Sequence, residues 1–154
     1  MILSCQEDIS APIEQVFARL TDFARFERAI ETRGGDVARH EGAPEGPGPG
    51  LAWTIRLHFH GAHREIEAEL TDYAPPSALR LGAASSGLGA EGIVELAALA
   101  EGLTRLSVAI DLGPRTLGGR VLMQTLKLAR GKLAEEMEAG LARLARRIEA
   151  EAAG

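Results

Sequence analysis

The C-terminal stretch constrains this chain more than any other feature: from Thr116 to Ala150 it predicts one uninterrupted amphipathic helix. At 1.5 Å per residue that rod would be about 50 Å long. Leu122, Leu126, Ala129, Leu133, Met137, Gly140, Leu144 and Ile148 advance along it by threes and fours, a single apolar stripe that needs cover. Gly131 and Gly140 each cost roughly 1 kcal/mol against alanine, a loss a helix can bear where it bends over a curved surface. Coiled-coil pairing would leave the preceding strands bare, and the stripe lacks regular flanking charges. The remaining cover is an antiparallel sheet built from the short strand-like runs upstream. The expected class is α+β: a curved sheet of about seven strands around a long C-terminal helix, with two short helices after the first strand.

At 154 residues the chain is expected to form one domain, 1–154, burying about 70% of its unfolded surface. A net charge of −5 leaves no cationic footprint for nucleic acid. Arg143, Arg146 and Arg147 complement the dipole at a helix C-terminus. Cys5 is the only cysteine, which excludes an internal disulfide and suits a cytoplasmic location. The opening residues carry acids rather than a basic segment and an apolar run, so they do not read as a signal peptide. No apolar run approaches the roughly 18 residues of a membrane span.

Ile2 to Ile9 reads as a strand. Ser10 as capping hydroxyl, Pro12 and Glu14 then signal a helix carrying Ile13, Val16, Phe17 and Leu20. Thr21-Asp22 restarts the chain into a second helix with Phe23, Phe26 and Ile30 on one side, ended by Gly34-Gly35. Asp36 to Glu41 is a weak edge strand, and Gly42 to Gly50 a mobile loop rich in proline and glycine.

Leu51, Trp53, Ile55, Leu57 and Phe59 alternate with polar or small residues at strand period. A two-residue turn at Gly61-Ala62 would set Trp53 opposite Leu70, Ile55 opposite Ala68 and Leu57 opposite Ile66. It would also set Arg56 against Glu67, His58 against Glu65 and His60 against His63. After a turn at Tyr73 to Pro76, Leu79, Leu81 and Ala83 form a strand, and Ser85 to Gly89 a loop. A second hairpin places Leu96 opposite Leu106 and Val94 opposite Val108, with Gly102 left-handed in a three-residue turn.

Residues that would line the space between sheet and helix are Trp53, Ile55, Leu57, Phe59, Ile66, Leu70, Leu81, Leu96, Val108, Leu126, Leu133 and Met137. Their plain alternative is a filled core. Arg64, of inward parity near the hairpin tip, and Glu7 are candidate polar anchors; Gln124 and Lys127 flank the helix stripe. Tyr73 has the outward parity of Glu67 and Glu69. His58, His60, His63 and Glu65 are ligand types that zinc accepts, though a solvated face of cross-strand ion pairs explains them more simply. No metal or other cofactor is called for, and no catalytic residue: a serine elbow, HExxH and a phosphate-binding GxxxxGK run are all missing.

The segment ISAPIEQVFARLTDFARFERAI resembles the opening of the SRPBCC superfamily (START-related, polyketide cyclase-like), through Ile9, Ala11-Pro12, Val16-Phe17, Leu20 and Asp22-Phe23. Glu69 to Pro76 and Gly102 to Leu106 echo it further along. The resemblance implies a helix-grip fold. It also implies binding or carriage of a hydrophobic small molecule (lipid, isoprenoid or polyketide-like) without chemistry. The alternatives are a polyketide cyclase/aromatase-like enzyme of the cyclase or dehydratase type, or a protein-interaction module similar to the accessory subunit of carbon-monoxide dehydrogenase. Leu117, Val121 and Leu128, off the main stripe, would serve such a module. Oligomeric state is left open.

Overall fold

The computed structural model describes residues 1–42, 47–59 and 61–154, with Phe59 described by its backbone alone. Part of the expected Gly42 to Gly50 loop, 43–46, therefore lies outside the described residues. In chain order the elements are β1 (Ile2–Ile9), α1 (Ile13–Leu20), α2 (Phe23–Thr32), β2 (Asp36–Arg39), β3 (Ala52–Phe59) and β4 (Ala62–Ala74). They continue as β5 (Ala78–Ser85), β6 (Leu88–Ala100), β7 (Leu103–Pro114), α3 (Leu117–Leu128) and α4 (Arg130–Ala153). The seven strands form one antiparallel sheet in the order β1-β7-β6-β5-β4-β3-β2. The polar β2 takes an edge, as its composition implies.

Four local expectations are corrected. Pro12, not Ser10, holds the N-cap of α1 and makes no side-chain cap; the Ser10 N–H instead donates to Glu149 Oε2 at 2.7 Å. In the β3–β4 hairpin Trp53 pairs with Ala68, Ile55 with Ile66, Leu57 with Arg64, Arg56 with Glu65 and His58 with His63. The register is displaced by two residues because Gly61, at φ 76°, takes the second turn position rather than the first. An even displacement leaves every side chain on its expected face. In the β6–β7 hairpin Leu96 and Leu106 pair as expected, but Leu99 bulges, Ala100 pairs with Leu103, and Gly102 is not left-handed. Between β5 and β6 the loop shrinks to Ser86 and Gly87, whose φ values of 51° and 80° make a tight hairpin turn.

A fifth correction concerns Tyr73. Leu70 pairs with Leu81, whereas Asp72 pairs with Arg80, so Thr71 is an extra residue in β4. One inserted residue inverts the parity beyond it. Tyr73 consequently turns inward and meets Phe17 with ring centroids 5.5 Å apart.

The C-terminal rod is not continuous. At Ala129, φ −92° and ψ 9°, one N–H is shared among the carbonyls of Thr125, Leu126 and Lys127. The helical ladder resumes with the Leu133 N–H donating to Ala129 O at 3.0 Å. α3 lies against β7 whereas α4 lies against β1, so the rod changes direction to follow the curved sheet. Gly131 beside the break lowers the cost of that change.

Close packing is concentrated where α1 and the last turns of α4 meet the sheet: Ile9, Val16, Phe17, Leu70, Leu96, Leu106, Ala145 and Ile148. Thr104, fully buried there, donates its hydroxyl to Ala11 O at 2.8 Å.

Candidate ligand cavity

Beside that packed end lies a partly open cavity of about 460 Å³. Its roof is α2. Phe23, Phe26, Glu27 and Ile30 recur at helical spacing and all face it, each half-buried, with Phe23 also packing against the core. Asp22 caps α2 by accepting the Arg25 N–H at 3.2 Å. The floor consists of Trp53 and Ile55 from β3, Ala68 from β4, Leu81 and Ala83 from β5, Val94 from β6, and Leu106 and Val108 from β7. Leu141 and Leu144 of α4 close one side. The small residues Ala68, Gly82 and Ala83 leave room that larger side chains would fill.

Among the described residues that line this space, Glu27 alone carries charge. Its Oε2 accepts from Trp53 Nε1 at 2.8 Å and from Arg39 Nε at 2.5 Å, and its Oε1 accepts from Arg39 Nη2 at 3.2 Å. Burial pushes this carboxyl up, but hydrogen bonds from Arg39 and Trp53 and the charge of Arg39 outweigh it, so Glu27 titrates below the usual carboxylate range. Trp53 itself is 6% exposed and stacks obliquely on Phe23 at 5.3 Å. α1 and the first turn of α2 are both tied to α4: Arg19 and Arg25 hold Glu151, and the Arg19 guanidinium lies 5.3 Å over Phe26. Arg19 Nη1 is buried without a partner among the described residues.

Trp53, Ile55, Leu81 and Val108, named from parity alone, therefore come together on the cavity floor. Leu70 and Leu96 lie in the packed core beside it. Leu57, Arg64 and Ile66 are half-buried toward the hairpin tip and do not line it, and the Phe59 side chain lies outside the described residues. Leu126, Leu133 and Met137 are half-buried on the rod, but the bend hands the wall to Leu141 and Leu144. Glu7 stands 3.8 Å from Arg146, and Gln124 and Lys127 are exposed. The roof helix is what sequence reasoning left out. Its signal was a lone carboxylate, Glu27, set inside the apolar stripe Phe23, Phe26 and Ile30.

His58 and His63 pair directly, their ring centroids 4.6 Å apart, while Glu65 goes to Arg56 and His60 lies outside the described residues. No group of three His, Cys, Asp or Glu side chains fit for a metal gathers among the described residues. Cys5 is half-buried, and burial pushes its thiol up. A wider depression of about 630 Å³, beside Glu67, Glu69 and Arg115, lies open to water.

A curved antiparallel sheet, a terminal helix and an apolar cavity between the sheet and α2, with α4 along one side, define a helix-grip fold of the hydrophobic-ligand or polyketide-cyclase-like kind. The chain belongs to the family described as polyketide cyclase / dehydrase and lipid transport, whose profile matches residues 3–149. No curated protein matches it by sequence. Among solved structures it is similar to TTHA0849 from Thermus thermophilus (18% identity, 98% of this chain and 99% of that one, TM-score 0.69). It is also similar to the ZhuI aromatase/cyclase from Streptomyces sp. R1128 (15% identity, 99% and 93%, TM-score 0.67). A START superfamily protein from Mycobacterium smegmatis is a third likeness (14% identity, 93% and 98%, TM-score 0.58). At these identities the likeness is one of fold. No helix among the described residues is long and apolar enough to cross a membrane.

Proposed function

We propose that this chain, as one unit over residues 1–154, binds and carries a hydrophobic small molecule, of lipid, isoprenoid or polyketide-like type, between α2 and the sheet. One observation carries the reading: a space of about 460 Å³ is walled by aliphatic and aromatic side chains and holds a single charged group, Glu27. Trp53, Ile55, Leu81 and Val108 are the floor contacts, and Phe23, Phe26 and Ile30 the roof contacts. The lone Cys5 supports a reducing, cytoplasmic setting. A cyclase would need a proton donor or a free base on this wall. Glu27 is held ionised and already accepts from two side chains, and Tyr73, although inward, stands in contact with Phe17 rather than on the wall.

Trp53 is the sole tryptophan, so its emission reports the cavity directly. Titration with a neutral apolar alcohol such as 1-decanol or farnesol is expected to shift that emission and saturate at one molecule per chain. Native mass spectrometry of protein from its own host is expected to show a co-purifying small molecule. Unchanged emission across such a panel, together with a bare mass, would remove the reading.

A further inference from the structure

An apolar surface that the cavity does not explain lies on α3. Leu117, Val121 and Leu128 are 78%, 68% and 91% exposed, three of the five large apolar side chains exposed among the described residues. At about 100° per residue, the three fall within roughly 40° of one another around the helix. Gly119 and Met123, the buried residues of α3, lie on its other side. An aliphatic ridge therefore runs along the helix and points straight away from the sheet.

Along the chain, the charge flanking this ridge is one-signed. Between Asp111 and Glu135 the chain carries Arg115, Arg120, Lys127, Arg130 and Lys132 and no acid, leaving twelve cations against twenty-two acids elsewhere. All five are exposed. Among the described residues none of the five pairs with a carboxylate; Arg130 donates to Ile2 O at 2.8 Å. Asp111, the nearest acid upstream, stands 3.9 Å from the N-terminal ammonium.

We infer that α3 is a docking face for the surface of an anionic lipid bilayer. Aliphatic side chains on a ridge, with Arg120 and Lys127 along one flank and Arg115, Arg130 and Lys132 beyond its two ends, match what an interfacial helix presents to headgroups and acyl chains. A second copy of the chain fits poorly, since closing two such ridges together would gather both sets of cations at one interface, with no acid between Asp111 and Glu135 of either copy to offset them. The inference does not rest on the cavity having an occupant.

Flotation of the intact chain with vesicles tests it. On phosphatidylcholine containing about a third phosphatidylglycerol, binding at low salt is expected to exceed that on phosphatidylcholine alone at least tenfold, and to fall as salt rises. Lys127→Gln and Arg120→Gln should each weaken it roughly fivefold. Leu128→Asp should weaken it comparably while leaving the melting temperature unchanged. Equal or undetectable binding to both vesicles would overturn the inference, as would binding that ignores these substitutions. A concentration-dependent dimer that Leu128→Asp dissolves would overturn it too, by assigning the ridge to a self-interface.

Discussion

Trp53 donates its indole N–H to Glu27 Oε2 at 2.8 Å, joining the floor of the cavity to its roof. Arg39 at the sheet edge grips the same carboxylate, so one side chain of α2 holds three elements together. Glu27→Gln keeps the size of the group but surrenders its charge. It is expected to cost about 1–2 kcal/mol at pH 7 by urea unfolding.

The same carboxylate sets a pH dependence. Its folded pKa lies below the ordinary 4.5, so the unfolded chain takes up the proton first as pH falls. The stability it contributes is whole above about pH 4.5 and drains away as pH falls through the folded value. Glu151, whose carboxyl is lowered by its hydrogen bond from Arg25, and Asp8, lowered by Arg105, add to the slope in the same direction. Urea midpoints recorded from pH 7 down to about 3 should fall less steeply for Glu27→Gln than for the parent. Parallel curves would mean the group does not act this way.

An ionised Glu27 also discriminates among ligands. Bonds from Arg39 and Trp53 leave room on its oxygens for one further donor, so an alcohol is accommodated where a carboxylate is repelled. Decanoate should bind at least tenfold more weakly than 1-decanol at pH 7 by Trp53 fluorescence. Glu27→Gln should narrow that gap. If decanoate binds as well as the alcohol, Glu27 does not face the ligand's polar end.

Filling the space tests the cavity without touching its charge. Ala83 lines the floor on β5 and is half-buried, so a leucine there would project into the void rather than into packed neighbours. Ala83→Leu is expected to weaken decanol binding about tenfold while shifting stability by less than about 1 kcal/mol. A loss of several kcal/mol would show that the site was already filled.

Period-2 alternation was enough to put Trp53, Ile55, Leu81 and Val108 on the cavity floor, because a register error of two residues does not change which face a side chain takes. Tyr73 was misplaced for the converse reason. The bulge at Thr71 is a one-residue event, and alternation counted from Glu67 cannot see it. The bend at Ala129 was hidden because the apolar stripe runs through it unbroken, Leu126 to Leu133, and the direction change is imposed by sheet curvature. The roof helix was legible as a helix. That its apolar side faces a void is a fact of tertiary distance, which no spacing along α2 encodes.

The seating of α3 gives a paired test on neighbouring glycines. Thr116 caps the helix by accepting the Gly119 N–H at 3.0 Å, and the Arg115 N–H donates to Gly87 O at 2.7 Å. Gly119 is buried against that same turn, and a methyl group on it would collide with the Gly87 backbone carbonyl. Gly118 meets only the Thr116 hydroxyl at ordinary contact distance, 3.8 Å. Helix propensity alone favours alanine over glycine by about 1 kcal/mol at either position. Gly118→Ala should therefore stabilise by up to about 1 kcal/mol. Gly119→Ala should destabilise by about 1–3 kcal/mol, because the obstructing atoms are backbone and cannot rotate away. Thermal melts of the two variants should move in opposite directions, and movement in the same direction would mean that α3 does not sit on the β5–β6 turn at Gly119.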